Sequence, residues 1–275
     1  MSSSSNNTRI AKNTIFLYFR MILLMAVSLY TSRVVLSTLG IDDYGIYNVV
    51  GGFIGMFAFL NGAMAGCTQR FITIALGKGD EQNLKKVFST CVITHGMIAL
   101  IVFILAETIG LWFVLEKLVI PENRMTAAMV VYQCSIVSTM VMIMSFPYNA
   151  DIIAHEKMSA FAYISIYEAF ANLGIVYLLY IGSLDKLAFY AILLLIVKVS
   201  VIVVYRIYCK RHFIETIFKW LFDKKLLKEM MSFTAWNLWG GLAGTLMGQG
   251  INILLNIFFG PAVNAARGIA VQVQS

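Results

Sequence analysis

The sequence predicts an all-α integral membrane protein, and two properties of the chain carry this prediction. Of its 275 residues 60% are hydrophobic and 13% are charged, and the mean hydropathy is +0.80. Soluble domains carry about 25% charged residues, so this chain lacks the polar surface that would cover a globule in water. The apolar residues are also gathered in runs of about 20 or more, the length of helix that crosses a bilayer core.

Seven candidate membrane-spanning helices follow one another along the chain. By the length of their apolar runs they cover residues 13–39, 45–76, 87–115, 126–150, 158–182, 187–208 and 231–259. An eighth begins near Ala262 and meets the end of the sequence at Ser275 before it has crossed. A helix that ends in mid-membrane leaves backbone groups without hydrogen-bond partners in hydrocarbon, which is costly. We therefore expect the chain to be the first part of a longer protein.

The basic residues of the short connections predict the orientation of these spans. If the N-terminus lies inside, thirteen lysines and arginines fall in inner segments and three fall in outer loops. Inner loops of membrane proteins carry an excess of Lys and Arg. We therefore expect a cytoplasmic N-terminus, and the net charge of +7 reflects topology rather than nucleic-acid binding.

Residues 209–229 differ from the other connections, because apolar residues recur among lysines at helical spacing. Phe213, Ile217, Trp220 and Leu221 would lie on one face of such a helix. This pattern is typical of an amphipathic helix on the inner membrane surface. We therefore expect three parts, namely an N-terminal six-helix bundle (1–208), a cytoplasmic amphipathic linker (209–229) and the start of a second bundle (230–275).

The two bundles show a weak internal repeat. A shift of 220 residues places Gly40 on Gly260, each of which closes a predicted span. The same shift aligns residues 31–50 with residues 251–270 without a gap. Internal repeats are common in transporters, whose substrate sites lie at the interface between the repeats.

Three segments resemble a known family. RVVLSTLGIDDYGIYNVV (33–50), CTQRFITIALGKGD (67–80) and NIFFGPAVNAARGIAVQVQS (256–275) are similar to polysaccharide exporters of the Wzx type, the O-antigen flippases. These belong to the superfamily that includes the MATE drug exporters and the lipid II flippases. The resemblance implies two MATE-like six-helix bundles around a cavity that opens alternately to each side. It also implies export of polyprenyl-diphosphate-linked oligosaccharide across the bacterial inner membrane, without a cofactor and without enzymatic chemistry.

Charged residues inside the predicted spans make the membrane interior net positive. The bases are Arg20, Arg33, Arg70, Lys198 and Arg267, whereas Glu168 is the acid that lies well inside a span. Ionisable groups at this depth cost roughly 2.5–3.5 kcal/mol and usually face a partner or a wet cavity. We expect the four arginines to line a cationic cavity that binds the diphosphate, with Arg33 and Arg267 at similar depth in opposite halves. For Arg20 and Arg70, snorkelling towards the inner membrane face is an equal alternative.

Glu168 and Lys198 lie near mid-membrane on consecutive predicted spans. In one interpretation they form a buried ion pair that holds these two spans together. In the other, Glu168 binds H⁺ or Na⁺ and couples transport to an ion gradient.

Two other functions fit the sequence less well. A cation-coupled multidrug exporter of the MATE type would favour acids in its cavity, whereas arginines dominate here. A membrane enzyme such as a glycan polymerase would need extramembrane acid–base residues, yet the outer loops have ordinary connection lengths of about five to twelve residues. The histidines of this chain (His95, His155, His212) form no motif with a nucleophile. Its scattered cysteines (Cys67, Cys91, Cys134, Cys209) have no metal-binding spacing. The sequence therefore favours a flippase.

Overall fold

The computed structural model of the chain describes residues 2–55, 57, 59–181, 185–217 and 223–274. Within these residues the chain forms ten α-helices and no strand. The helices are α1 (Ser2–Leu39), α2 (Ile41–Gly55), α3 (Phe59–Lys78), α4 (Glu81–Leu105), α5 (Leu111–Glu116), α6 (Met125–Ala154), α7 (Met158–Ile181), α8 (Lys186–His212), α9 (Lys224–Phe259) and α10 (Pro261–Gln274). A π-helical segment, Ala106–Gly110, joins α4 to α5, and short 3₁₀ turns at Glu122–Arg124 and Ile214–Thr216 precede α6 and follow α8.

Five segments of the described chain are long and apolar enough to cross a membrane. They are Tyr18–Leu39, Glu81–Glu116, Glu122–Ala154, Met158–Tyr180 and Lys186–His212. The prediction of an all-helical protein with several membrane-length helices is therefore confirmed at this level. Of the remaining predicted spans, 231–259 lies within the continuous helix α9, whereas 45–76 is divided.

The predicted span 45–76 is two helices rather than one. α2 ends at Gly55, α3 begins at Phe59, and neither helix is among the five membrane-length segments. Glycine inside a helix is less stable than alanine by roughly 0.5–1 kcal/mol, and three glycines stand in the last five residues of α2. The three glycines thus weaken the helix at this point.

The helix predicted over 209–229 is not continuous within the described residues. α8 continues to His212, and Phe213 ends it in an extended conformation (φ −128°, ψ 124°). The Phe213 ring is buried against the imidazole of His155, with ring centroids 4.1 Å apart, instead of lying on a membrane-facing stripe. Of the other apolar residues in this pattern, Ile217 is exposed, and Trp220 and Leu221 lie outside the described residues.

Contacts between distant parts of the chain define two ends of the helical bundle. At one end, the backbone N–H of Val119 donates to Asn256 Oδ1 at 3.0 Å, and Lys186 Nζ donates to the Thr38 carbonyl at 3.4 Å. At the other end, Lys86 Nζ lies 3.4 Å from Asp223 Oδ2. We call these the Gly40 end and the Gly79 end, after the positive-φ glycines in their turns.

Gly40 and Gly260, which the internal repeat pairs, both have a positive φ. Their φ angles are 85° and 76°, a left-handed region that favours glycine, and each ends a long helix just before the next begins. The helices that follow, α2 and α10, pack against each other. A Cβ on Gly268 would lie 2.8 Å from the side-chain oxygen of Asn48, and these two residues are again 220 positions apart. Equivalent residues therefore meet, as a pseudo-two-fold axis between α2 and α10 requires.

The buried centre of the fold lies along α6, which packs against α2, α3, α4 and α8. Tyr132 of α6 is fully buried, and its hydroxyl donates to the carbonyl of Ala106 at 2.6 Å. That carbonyl lies in the π-helical segment, where the regular hydrogen-bonding ladder of α4 is interrupted. The carbonyl also accepts from the backbone N–H of Leu111, so the buried Tyr132 hydroxyl adds a second hydrogen bond that fixes α6 to this irregular segment.

Candidate functional site

A cavity of about 410 Å³ lies between α2, α6 and α8 on one side and α9 and α10 on the other. We call it the first cavity. Polar side chains line it on both sides, with Asn48 from α2, Ser135, Ser138 and Thr139 from α6, Lys198 from α8, and Gln249 and Asn252 from α9. Hydroxyls and amides both donate and accept hydrogen bonds, so this wall suits a ligand that carries many hydroxyl groups.

Amide side chains on α9 are held in place by Arg267 of α10. Arg267 Nε donates to Asn252 Oδ1 at 2.7 Å, and Asn252 Nδ2 donates to Gln249 Oε1 at 2.8 Å. Arg267 Nη2 also donates to the carbonyl of Gly248 at 3.3 Å. Arg267 therefore acts on the first cavity through Asn252, and its guanidinium is engaged by α9.

Glycines of α2 provide much of the opposite wall. Gly51, Gly52 and Gly55 all line the first cavity, and a Cβ on Gly52 would lie 2.9 Å from Gln249 Oε1. Side chains at these positions would narrow the cavity. The small-residue pattern that permits helix approach elsewhere in membranes here leaves room beside the helix.

A second cavity, of about 380 Å³, lies between α1, α7 and α8. Its polar lining consists of Arg20, Ser28, Thr31, Ser32, Ser165, Glu168, Asn172 and Tyr190. The Arg20 guanidinium stacks on the Phe161 ring at 4.4 Å, while its buried Nε has no hydrogen-bond partner among the described residues. Arg20 therefore lines a cavity and retains a donor for a ligand or water.

Lys198 and Glu168 connect the two cavities. Lys198 Nζ donates to Glu168 Oε1 at 2.6 Å, which is the ion-pair arrangement between α7 and α8. Lys198 lines the first cavity and Glu168 lines the second. The two side chains are 38% and 29% exposed, so neither charge is fully enclosed by the protein. A change in the charge of either group would change the electrostatic potential in both cavities.

The four arginines that the sequence places in one cationic cavity have separate surroundings in the described chain. Arg33 is exposed on α1, and Arg20 and Arg267 are placed as described above. Arg70 stacks on Phe233 at 4.6 Å and lines a third cavity of about 340 Å³ between α3, α4 and α9. Depth along a helix can be estimated from the sequence, but the direction in which each side chain points depends on tertiary packing. Lys198 is the basic residue that lines the first cavity within the described residues.

The hydroxyl wall of α6 was missed by the sequence interpretation. Ser135, Ser138 and Thr139 are spaced by three and four residues and therefore share one face of a helix. That spacing is a readable signal, because polar residues in a membrane helix gather where the helix meets a partner or a cavity.

Comparison with known proteins gives the fold without a family. No protein-family model matches the chain, and no curated protein matches it. The solved structure of a protein designated protein A superposes on the whole of this chain with a TM-score of 0.80 at 18% sequence identity. This chain spans 62% of the length of that one. The two chains therefore share an all-helical fold, in which helices of membrane-spanning length surround polar cavities in the protein described here.

Proposed function

We propose that this chain belongs to a membrane transporter that flips polyprenyl-diphosphate-linked oligosaccharide across the bacterial inner membrane. The first cavity is the observation that carries the proposal. Its hydroxyl and amide lining can replace water around sugar hydroxyls. The cavity lies between α2, α6 and α8 on one side and α9 and α10 on the other. In this proposal the N-terminus is cytoplasmic, and the polyprenyl tail stays in lipid while the sugar passes through the protein.

Alternating access would use the contact between α2 and α10. Gly45 of α2 lies so close to Pro261 that a Cβ would collide with the Pro261 carbonyl oxygen. Backbones in such contact can rock about one another, with few side chains to repack. The first cavity is lined by both of these helices and would widen on one side as they tilt.

An ion that neutralises Glu168 would couple this motion to a gradient. With Glu168 charged, Lys198 is held at 2.6 Å by its carboxylate. A proton or Na⁺ bound at Glu168 would release the ammonium of Lys198 into the first cavity, where it can bind a diphosphate. Arg20 lines the same cavity as Glu168 and raises the local positive charge.

The proposal is tested by complementation in cells that lack the gene for the full protein. Without the gene, lipid-linked oligosaccharide should accumulate on the inner leaflet, and the wild-type gene should clear it. A Lys198→Ala variant should leave the oligosaccharide accumulated. Lys210→Ala, at an exposed position on the same helix, is the matched control and should restore export. Full export with Lys198→Ala would remove Lys198 from the mechanism, and normal export without the gene would refute the proposal.

Cation-coupled drug export is the second candidate, and the position of Glu168 favours it. A carboxylate in a cavity of the N-terminal helices is what a cation-coupled exporter requires to bind its coupling ion. The same deletion strain separates the two functions. Raised sensitivity to cationic drugs with normal oligosaccharide export would favour the exporter, and Glu168→Gln should then abolish drug resistance.

A further inference from the structure

Three chemically reactive side chains that line none of the cavities described above meet at the Gly79 end of the bundle. Asp151 and His155 lie four residues apart at the end of α6, and Glu215 lies in the 3₁₀ turn after α8. One ligand atom from each, a carboxylate oxygen or an imidazole nitrogen, lies within 4.8 Å of the other two. His155 Nε2 is 2.6 Å from Glu215 Oε1 and 3.9 Å from Asp151 Oδ1.

Asp151 is weakly compensated within the described residues, because His155 Nε2 is 3.9 Å from its Oδ1. Its side chain is 0% exposed, and neither carboxylate oxygen has a hydrogen-bond partner there. A buried charge without a partner is very costly, and Glu215, which is 4% exposed, brings a second carboxylate to the same place. A single imidazolium would balance one of the two negative charges. The remaining charge is balanced either by a proton held on one of the two carboxylates or by a further positive charge that reaches Asp151.

The geometry of the three groups is set by their surroundings. The His155 ring stacks on Phe213 with centroids 4.1 Å apart and planes 10° apart, which fixes the direction of the imidazole. Thr216 Oγ1 donates to the Phe213 carbonyl at 2.8 Å and closes the turn that carries Glu215. Ligands held by rigid elements in this way are pre-organised for an ion.

We propose that Asp151, His155 and Glu215 bind one divalent transition-metal ion, for which Zn²⁺ is the representative probe. Metal–ligand bonds of about 2.0–2.2 Å place neighbouring donors roughly 3–4 Å apart, so small side-chain shifts suffice to admit the ion. Two carboxylates balance its charge, and a neutral imidazole is a ligand that zinc and related metals accept. The side chain of His155 is 24% exposed, which gives the ion a route of entry and leaves room for water. The bound ion ties the end of α6 to the segment after α8.

Metal content of the purified 275-residue protein tests this proposal independently of transport. The protein in detergent is stripped with a chelator, dialysed against ZnCl₂, washed, and measured for bound zinc and for Tm. We expect about one zinc per chain and a higher Tm with zinc, since an ion that binds only the folded state stabilises it. Asp151→Asn and Glu215→Gln should each weaken zinc binding at least tenfold. Glu229→Gln, an exposed acid at the start of α9, is the matched control and should bind zinc like the wild type.

X-ray absorption at the zinc edge of the wild-type protein provides a test that needs no variant to fold. The expected first shell consists of nitrogen and oxygen at about 2.0–2.2 Å, whereas a sulfur shell near 2.3 Å would assign the ion to cysteines and overturn the proposal. Zinc that persists in both acid variants would also overturn the proposal, because it would place the ion elsewhere. Absence of stoichiometric zinc would overturn it as well. In that case, an Asp151→Asn variant more stable than the wild type would indicate that the two carboxylates share a proton.

Discussion

Arg124 and Asp43 form a two-pronged ion pair in which Nε of Arg124 donates to Oδ1 of Asp43 at 2.7 Å and Nη2 donates to Oδ2. Nη1 of the same guanidinium donates to Asp185 at 2.5 Å. One arginine thus joins the first turn of α2, the turn before α6 and the N-cap of α8. The planar guanidinium is suited to this role because its donors can serve two carboxylates at once.

Arg124→Lys should therefore lower the stability of the Gly40 end although the charge is kept. The Arg124 side chain is 24% exposed and that of Asp43 is 17% exposed, so solvent screens the pair only partly. We expect a loss of about 1–2 kcal/mol, between the values for exposed ion pairs and those for buried charged hydrogen bonds. Thermal unfolding in detergent measures it. Lys85→Arg, at a side chain 24% exposed in a long i,i+4 contact with Glu81, should change little, and an equal loss there would contradict the assignment.

Acid should weaken the same end through Asp185. Burial works to raise the pKa of Asp185, but hydrogen bonds from Arg124 and from the backbone of Ala188 and Leu187 outweigh it and hold the pKa below its ordinary value. A lowered pKa contributes stability that is present above the unfolded value, about 3.9, and is lost as the pH falls through the folded value. Asp185→Asn should be less stable than the wild type at pH 7, and the difference should shrink below about pH 4. A difference that does not change with pH would exclude this linkage.

The Lys198–Glu168 pair should show a measurable coupling in a double-mutant cycle of Lys198→Met and Glu168→Gln. Both side chains are partly exposed, so we expect a coupling of about 0.5–1.5 kcal/mol in unfolding experiments. The Lys85–Glu81 pair, whose charged atoms are 3.8 Å apart, provides a control cycle that should give less than about 0.5 kcal/mol. Equal couplings in the two cycles would mean that the contact between α7 and α8 does not depend on this ion pair.

Gly45→Ala should separate α2 from α10. The added Cβ would collide with the backbone carbonyl of Pro261, which cannot rotate away as a side chain would. Overpacking of this kind typically costs about 1–3 kcal/mol. Gly66→Ala in α3 meets no atom within 4 Å and should be neutral or stabilising by up to about 1 kcal/mol. Thermal unfolding of the two variants under one set of conditions compares them, and similar Tm values would argue against close packing at Gly45.

Residues whose role is local could be interpreted from the sequence, whereas roles that depend on packing could not. Gly40 and Gly260 close their helices where the repeat predicts, because a helix ending in a left-handed conformation selects glycine from the backbone alone. The direction in which the Arg33 side chain points could not be inferred in the same way. Its helix is apolar on most sides, so no stripe distinguishes a cavity from lipid, and the side chain is exposed.

The cluster of Asp151, His155 and Glu215 shows the same difference between local roles and roles that depend on packing. The spacing of Asp151 and His155 by four residues places both on one helix face and could be seen in the sequence. Glu215 lies sixty residues beyond His155, and only the turn after α8 brings the two together. Hydropathy likewise predicted one span over 45–76, because a window average does not register the local weakness of three glycines.

The packing of Gly45 on Pro261 also imposes an order on synthesis. Chains emerge from the ribosome N-terminus first, so α2 is made more than two hundred residues before the segment that covers its Gly45. During that interval α2 lacks its partner helix α10. Substitutions in α10 should therefore register as maturation defects of helices that were made long before it.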